Sequence, residues 1–97
     1  MNRVHLSGEL IEMAPLRYTP AGLAVLTAKL HHVGTVLEAS SERKIVFDMP
    51  FTAIGEIASA MSQLEEGSAV RVDGFIAPKS LKTSRLSLHV TAFTKGV

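Results

Sequence analysis

The sequence predicts an all-β protein: a small, closed, five-stranded barrel with one short helix between the third and fourth strands. Three observations carry this reading. Apolar and polar residues alternate at a period of two in five separate stretches, as half-buried strands require. One stretch, Ile54 to Leu64, switches to a spacing of three and four, which marks one face of a helix. The first strand also changes phase part-way along, as a bulged or sharply bent strand does, and such a strand can serve two sheets at once.

In the first strand Val4, Leu6 and Leu10 point inward, with Gly8 in the same register, while Arg3, His5, Ser7 and Glu9 point outward. After Leu10 the apolar series slips by one residue and continues through Ile11 and Met13. The segment then passes Pro15 and ends in Thr19-Pro20-Ala21-Gly22, a turn by residue chemistry. Leu23 to Val33 reads as the second strand, with Leu26, Ala28 and Leu30 inward and Val25, Thr27, Lys29 and His31 outward. Gly34 to Glu42 is small and polar and is expected to be a hairpin-type loop.

Arg43 to Thr52 reads as the third strand, with Ile45, Phe47, Met49 and Phe51 inward and Val46 and Asp48 outward. Pro50 favours an edge position or an early end for it. Ile54, Ile57, Ala58, Met61 and Leu64 form the helical face; Glu56 sits in the first turn and Gly67 is placed to stop the helix. Ser68 to Pro78 is the fourth strand, with Val70, Val72 and Ile76 inward and Arg71, Asp73 and Phe75 outward. A basic loop from Lys79 to Ser84 leads to the fifth strand, Leu86 to Phe93, with Leu86, Leu88 and Val90 inward and Ser87, His89 and Thr91 outward. The order β-β-β-α-β-β with a bent first strand is that of an OB-fold barrel.

Composition narrows the possibilities. Ninety-seven residues are expected to form a single domain spanning 1–97, long enough for a modest core without disulfides or metal. The absence of cysteine excludes disulfide scaffolds, thiolate metal sites and cysteine nucleophiles. No apolar run approaches the ~18 residues of a membrane span, and the N-terminus lacks a signal-peptide layout. A cytoplasmic protein without a membrane partner is expected. The formal net charge is only +1, but Lys79 to Val97 holds four basic residues and no acidic one. This segregation points to a partner rather than to a fold.

Three segments carry a resemblance. Asn2-Arg3-Val4-x-Leu6-Ser7-Gly8, then Ala14-Pro15-Leu16-Arg17-Tyr18-Thr19-Pro20-Ala21-Gly22, then Glu66-Gly67-Ser68-x-Val70-x-Val72-Asp73-Gly74-Phe75 are spaced as in the bacterial single-stranded-DNA-binding proteins. The chain resembles that family over nearly its whole length. Met49-Pro50 closing the third strand, and an ending at Val97 directly after the fifth strand without a Gly/Pro/Gln-rich, acidic-tipped tail, make it most similar to the family's short primosomal branch. The resemblance implies an OB-fold homodimer that binds single-stranded DNA. It also implies work with a restart helicase and other primosome proteins to reload replication at stalled forks.

Several residues are candidates for contact with DNA. The loop Lys79-Ser80-Leu81-Lys82-Thr83-Ser84-Arg85 carries three cations, three hydroxyls and no carboxylate, a composition suited to a phosphate backbone. The plain alternative is a solvated hairpin tip. In an OB barrel this loop borders the oligonucleotide face, and Lys79, Lys82 and Arg85 are the contacts expected there. Arg17 and Tyr18 lie in the other bordering loop, and Tyr18, the sole tyrosine, is expected either to stack on a base or to lie over the barrel rim. Arg43 and Lys44 open the third strand as further phosphate contacts, diluted by Glu42 and Asp48. The family's stacking positions fall at Val46 and near Ser41, where this chain is aliphatic and polar. Binding is therefore expected to lean on charge more than on stacking.

Other chemistry finds little support. His31 and His32 are adjacent on a strand and point to opposite faces, so they cannot readily share an ion; no metal or other cofactor is expected. No Gly-rich phosphate loop, nucleophile elbow or paired carboxylates occur at a recognisable spacing, and no enzyme is expected. Val25, Val46 and Phe75 are apolar in outward registers, and the first strand is expected to leave an unpaired edge. Both features favour a homodimer. Two competing functions remain: a dimeric OB-type adaptor for an acidic protein surface, and a tail-less general single-strand-binding protein.

Overall fold

The computed structural model describes residues 1–96; Val97, where the sequence reading ends the chain, lies outside the described residues. The elements in order are β1 (Val4–Ile11), β2 (Arg17–Tyr18), β3 (Ala24–Glu38), β4 (Ser41–Ile54), α1 (Glu56–Ser62), β5 (Ala69–Pro78) and β6 (Leu86–Lys95). The five long strands form one ring, β1-β5-β6-β4-β3, closed by the pairing of β1 with β3. The two-residue β2 lies on the edge of β3, with Arg17 opposite Val25 and Tyr18 opposite Ala24.

The bend in β1 closes this ring. Val4 to Glu9 pairs with β5, and Glu9 to Ile11 pairs with β3. Glu9 thus joins both partners, and the phase slip after Leu10 marks the hand-over. Glu12 follows with a positive φ of 50°, sparsely populated for an L-residue. Beyond it the Ala14 N–H donates to the Thr27 carbonyl at 2.9 Å. Gly8 sits where β1 passes closest to β3, and a Cβ there would collide with the His31 carbonyl.

The helix ends against the same strand. The Gly67 N–H donates to the Leu10 carbonyl at 2.7 Å, and the Leu10 N–H donates to the Ser68 carbonyl at 3.0 Å. Gly67 reaches that position with φ 87°, a conformation glycine adopts without steric cost. Only Ala58 and Met61 of α1 are fully buried, with Ile57 and Leu64 packed beside them. The core gathers Leu10, Leu26, Leu30, Phe51, Met61, Val70, Val72 and Leu88 from every long strand and the helix.

Six expectations are corrected. Residues 34–42 are not a loop: β3 and β4 continue pairing from Val33↔Val46 to Glu38↔Ser41 as a two-stranded arm. Its turn residues Ala39 and Ser40 have φ 51° and 66°, a mirror-image turn that matches strand twist. The small residues there hid a continuing ladder. Ile54 belongs to the end of β4 rather than to the helix, and is exposed. Val25 is not an exposed surface residue; flanked by Arg17 and Ile54, it is buried. Leu86 is exposed because it precedes the stretch of β6 that β4 covers, which begins at Leu88. Phe47 lies outside the buried core, half-buried against His32 at a ring distance of 5.1 Å. Pro50 does not end its strand; it pairs with Lys29 in the last position before β6 joins the other side of β4.

Candidate nucleic-acid interface

On the outer wall of the barrel, consecutive residues of a strand point to opposite faces. Thr27 and Lys29 of β3 therefore stand on the outer face, directly opposite Thr52 and Pro50 of β4. Ser87 of β6 joins this surface: its hydroxyl donates to the Pro50 carbonyl at 3.2 Å and lies 3.5 Å from the Thr52 hydroxyl. Arg17 overhangs one side and Lys79 the other. The result is a groove of about 380 Å³ walled by three cations, with the hydroxyls of Thr27, Thr52 and Ser87 between them. Glu12 is the one carboxylate on its lining and lies 3.4 Å from Lys29 Nζ.

The two loops named from sequence thus border one groove. Arg17 and Lys79 line it, and the structure brings them together across β3, β4 and β6. Lys82 and Arg85 stay on the exposed loop beyond Lys79. That loop is held by its own hydroxyls, with Lys82 N–H donating to Ser80 Oγ at 3.3 Å and Arg85 N–H to Thr83 Oγ1 at 3.1 Å. Lys79 N–H also donates to the Arg85 carbonyl at 2.8 Å. The serines and threonines therefore shape the loop and leave its cations facing solvent. Tyr18 is 63% exposed and follows Arg17 on β2, so its ring projects to the other face.

The arm separates the remaining candidates. Lys44 and Val46 share the outer face with Val33, Thr35 and Lys29, whereas Arg43 lies on the opposite face with Val36 and Glu38. Arg43 is also engaged, its guanidinium 2.7 Å from the Glu38 carboxylate. Between the groove and Val46 stands the His31–Asp48 pair at 2.7 Å. Six residues separate Lys44 from Pro50, or ~20 Å at the usual strand rise, so Lys44 and the groove would meet different parts of any ligand. Among the described residues no ion pair engages Arg17, Lys44, Lys79, Lys82 or Arg85.

Lys29, Thr27, Thr52 and Ser87 were not among the candidates from sequence. The signal was present in the alternation of the second strand, which turns Thr27 and Lys29 outward. The lateral adjacency of Thr52 and Ser87 depends on the parallel pairing of β4 with β6, Phe51↔Leu88 and Thr52↔His89. Strands joined through a helix and a fourth strand leave no local trace of that pairing. Among the described residues no three His, Asp or Glu side chains gather as a metal site.

Comparisons with known proteins agree with this architecture. Residues 2–92 match the model of a family described as another single-strand binding protein family. The replication restart protein PriB of Nitrosomonas europaea is 40% identical over 89 residues, covering 92% of this chain and 82% of that protein. The PriB of Bordetella pertussis is 32% identical over 90 residues, covering 93% and 84%. A solved structure of PriB from Ralstonia solanacearum superposes with a TM-score of 0.88 at 28% identity, covering 98% of this chain and 97% of that one. The single-stranded DNA binding protein of Thermus aquaticus, at 24% identity, has the same fold with a TM-score of 0.80 over half of its own length. From the match over residues 2–92 and the PriB relatives at 32–40% identity, the chain belongs to the single-strand binding protein family, beside the replication restart proteins PriB.

Proposed function

We propose that this protein binds single-stranded DNA and acts as an accessory of replication restart, with no catalysis of its own. The groove carries the proposal. Arg17, Lys29 and Lys79 converge on a groove that also holds the half-buried hydroxyls of Thr27 and Thr52, where cations track phosphates and hydroxyls add hydrogen bonds without reading sequence. Lys82 and Arg85 extend the basic surface along the loop, and Lys44 with Val46 extends it along the arm. Tyr18 at the rim is available to an end of the strand. The names of the PriB relatives support the restart role, in which a restart helicase and other primosome proteins are the partners, in the cytoplasm.

The assembly in this reading is a homodimer. The second edge of β1 from Val4 to Ser7 has no strand partner among the described residues, since β3 pairs only with Glu9 to Ile11. A free strand edge is a template for pairing with a second copy. Light scattering at micromolar concentration is expected to give twice the 10.4 kDa of one chain; a monomer mass would refute the dimer.

The DNA reading is tested by titrating labelled oligo-dT by fluorescence anisotropy at several salt concentrations. Neutralisation of three phosphates per protomer predicts a log–log salt slope of about −2. The double substitution Lys82→Ala and Arg85→Ala is expected to weaken binding at least several-fold and to flatten the slope. No binding at low salt would leave the protein-adaptor reading in its place.

A further inference from the structure

We propose that the protein carries a second subsite, separate from the cationic groove, in which Phe75 stacks against one base of a single strand that crosses the barrel. The inference rests on the single-stranded-DNA reading above and extends the ligand's path over the opposite half of the outer wall.

The pairing register aligns a transverse row across the strands. Thr27 of β3 faces Thr52 of β4, Thr52 faces His89 of β6, and His89 faces Phe75 of β5. Val4 of β1 pairs with Gly74, which sets Arg3 beside Phe75 at the end of the row. Thr52 already lines the groove, so the row runs without a break from the cations to the aromatic ring. Neighbouring strands lie ~4.8 Å apart, and from Thr52 to Phe75 the row crosses two such steps.

Phe75 has the attributes of a platform. It stands in the outward register, 40% exposed, and its ring is stacked on His89 at a centroid distance of 5.1 Å and an interplanar angle of 10°. The imidazole supports one face of the phenyl ring and fixes its orientation. A shallow cavity of about 440 Å³ adjoins the ring, and Arg3, Asp73 and Thr91 also line it. Arg3 supplies the one cationic side chain of that lining, suited to a phosphate or to stacking over a base. The Asp73 carboxylate is already engaged by His5 Nδ1.

The slot is also braced. The side chain of Asn2 donates through Nδ2 to the Ile76 carbonyl at 2.6 Å and accepts the Ile76 N–H on Oδ1 at 2.9 Å. This two-point clasp ties the N-terminal residues to β5 and holds Arg3 next to Phe75. A pre-organised aromatic beside an arginine whose neighbour Asn2 is clasped to β5 suits an unstacked base, because every base offers a π-face and the ring itself needs little ordering on binding.

The chain has no tryptophan, so Phe75→Trp provides a reporter at the site itself. Titrated with a long oligo-dT, its fluorescence is expected to be quenched as anisotropy reports binding; bound DNA without quenching would overturn the proposal. Phe75→Ala is expected to weaken binding of the long oligonucleotide by about fivefold or more, the range of one lost stacking contact, and to leave a short one that fills only the groove unaffected. Phe75→Leu keeps apolar packing on His89 but lacks the π-face, so it is expected to behave as the alanine variant does; wild-type affinity in both would overturn the proposal. A changed mass by light scattering in these variants would assign Phe75 to a subunit contact and overturn it as well. Failure of the unaltered chain to bind any oligonucleotide would instead refute the single-stranded-DNA reading on which the subsite rests.

Discussion

Glycine 74 shows how little room the barrel leaves at single positions. Buried on β5 at the irregularity between Asp73 and Gly74, it lies so close to β6 that a Cβ would collide with the His89 carbonyl. The obstacle is backbone, so no rotamer change relieves it. Gly74→Ala is expected to destabilise the protein by ~1–3 kcal/mol, as over-packing does, seen as a lower midpoint in urea unfolding. Lys29 makes the functional case. Its ammonium is shared between Glu12 at 3.4 Å and the open groove. Lys29→Ala is expected to weaken oligo-dT binding and to make the salt slope less negative by ~0.7, the contribution of one released counterion on a single strand. Glu12→Gln, which removes the competing carboxylate, is expected to strengthen binding at low salt in the same anisotropy assay. Both residues were visible in the sequence, Lys29 as an outward strand residue. Their meeting was not, because it depends on the turn of the chain at Glu12.

Among the elements, the arm formed by the outer halves of β3 and β4 differs most from expectation. It extends the molecule to 50 Å along its longest axis, against 31 and 22 Å in the other directions. No residue from Val33 to Val46 belongs to the buried core. Its ladder therefore rests on backbone pairing and cross-strand contacts such as Val33 against Val46. The turn is a weak point. Ala39 and Ser40 both occupy the left-handed region, which asparagine and glycine adopt more readily than alanine and serine. Replacing them by Asn and Gly is expected to slow amide hydrogen exchange through the arm several-fold while exchange in the barrel stays unchanged. The exposed side chains of Val36 and Leu37 give the arm an apolar tip.

For the whole molecule, closure of the ring is the decisive event. A single bent strand hands its pairing from β5 to β3 at Glu9, and the wall so closed presents Arg17, Lys29 and Lys79 on one groove. The elements that build the groove are far apart in the chain. A charge-led interface of this kind predicts affinity that falls steeply with salt. In the proposed binding mode, stacking falls to Phe75 and Tyr18, since the arm presents the aliphatic Val46.

By itself the sequence determined the strand alternation, the short helix, the bend after Leu10, the family, and the two basic segments around Arg17 and Lys79. Each is written locally, in a two- or three-to-four-residue period or in a run of residue types, and local signals survive without coordinates. It did not determine that residues 34–42 pair, because backbone hydrogen bonds are indifferent to small polar side chains. Nor did it show that Val25 is buried and Leu86 exposed, because cover comes from neighbouring strands rather than from alternation. Only the tertiary structure decided that Lys29 and Ser87 share a groove with Arg17 and Lys79, that Arg43 turns away from Lys44, and that Phe75 rests on His89. These are lateral relations between strands distant in sequence, and they exist only once the barrel has closed and its register has been set.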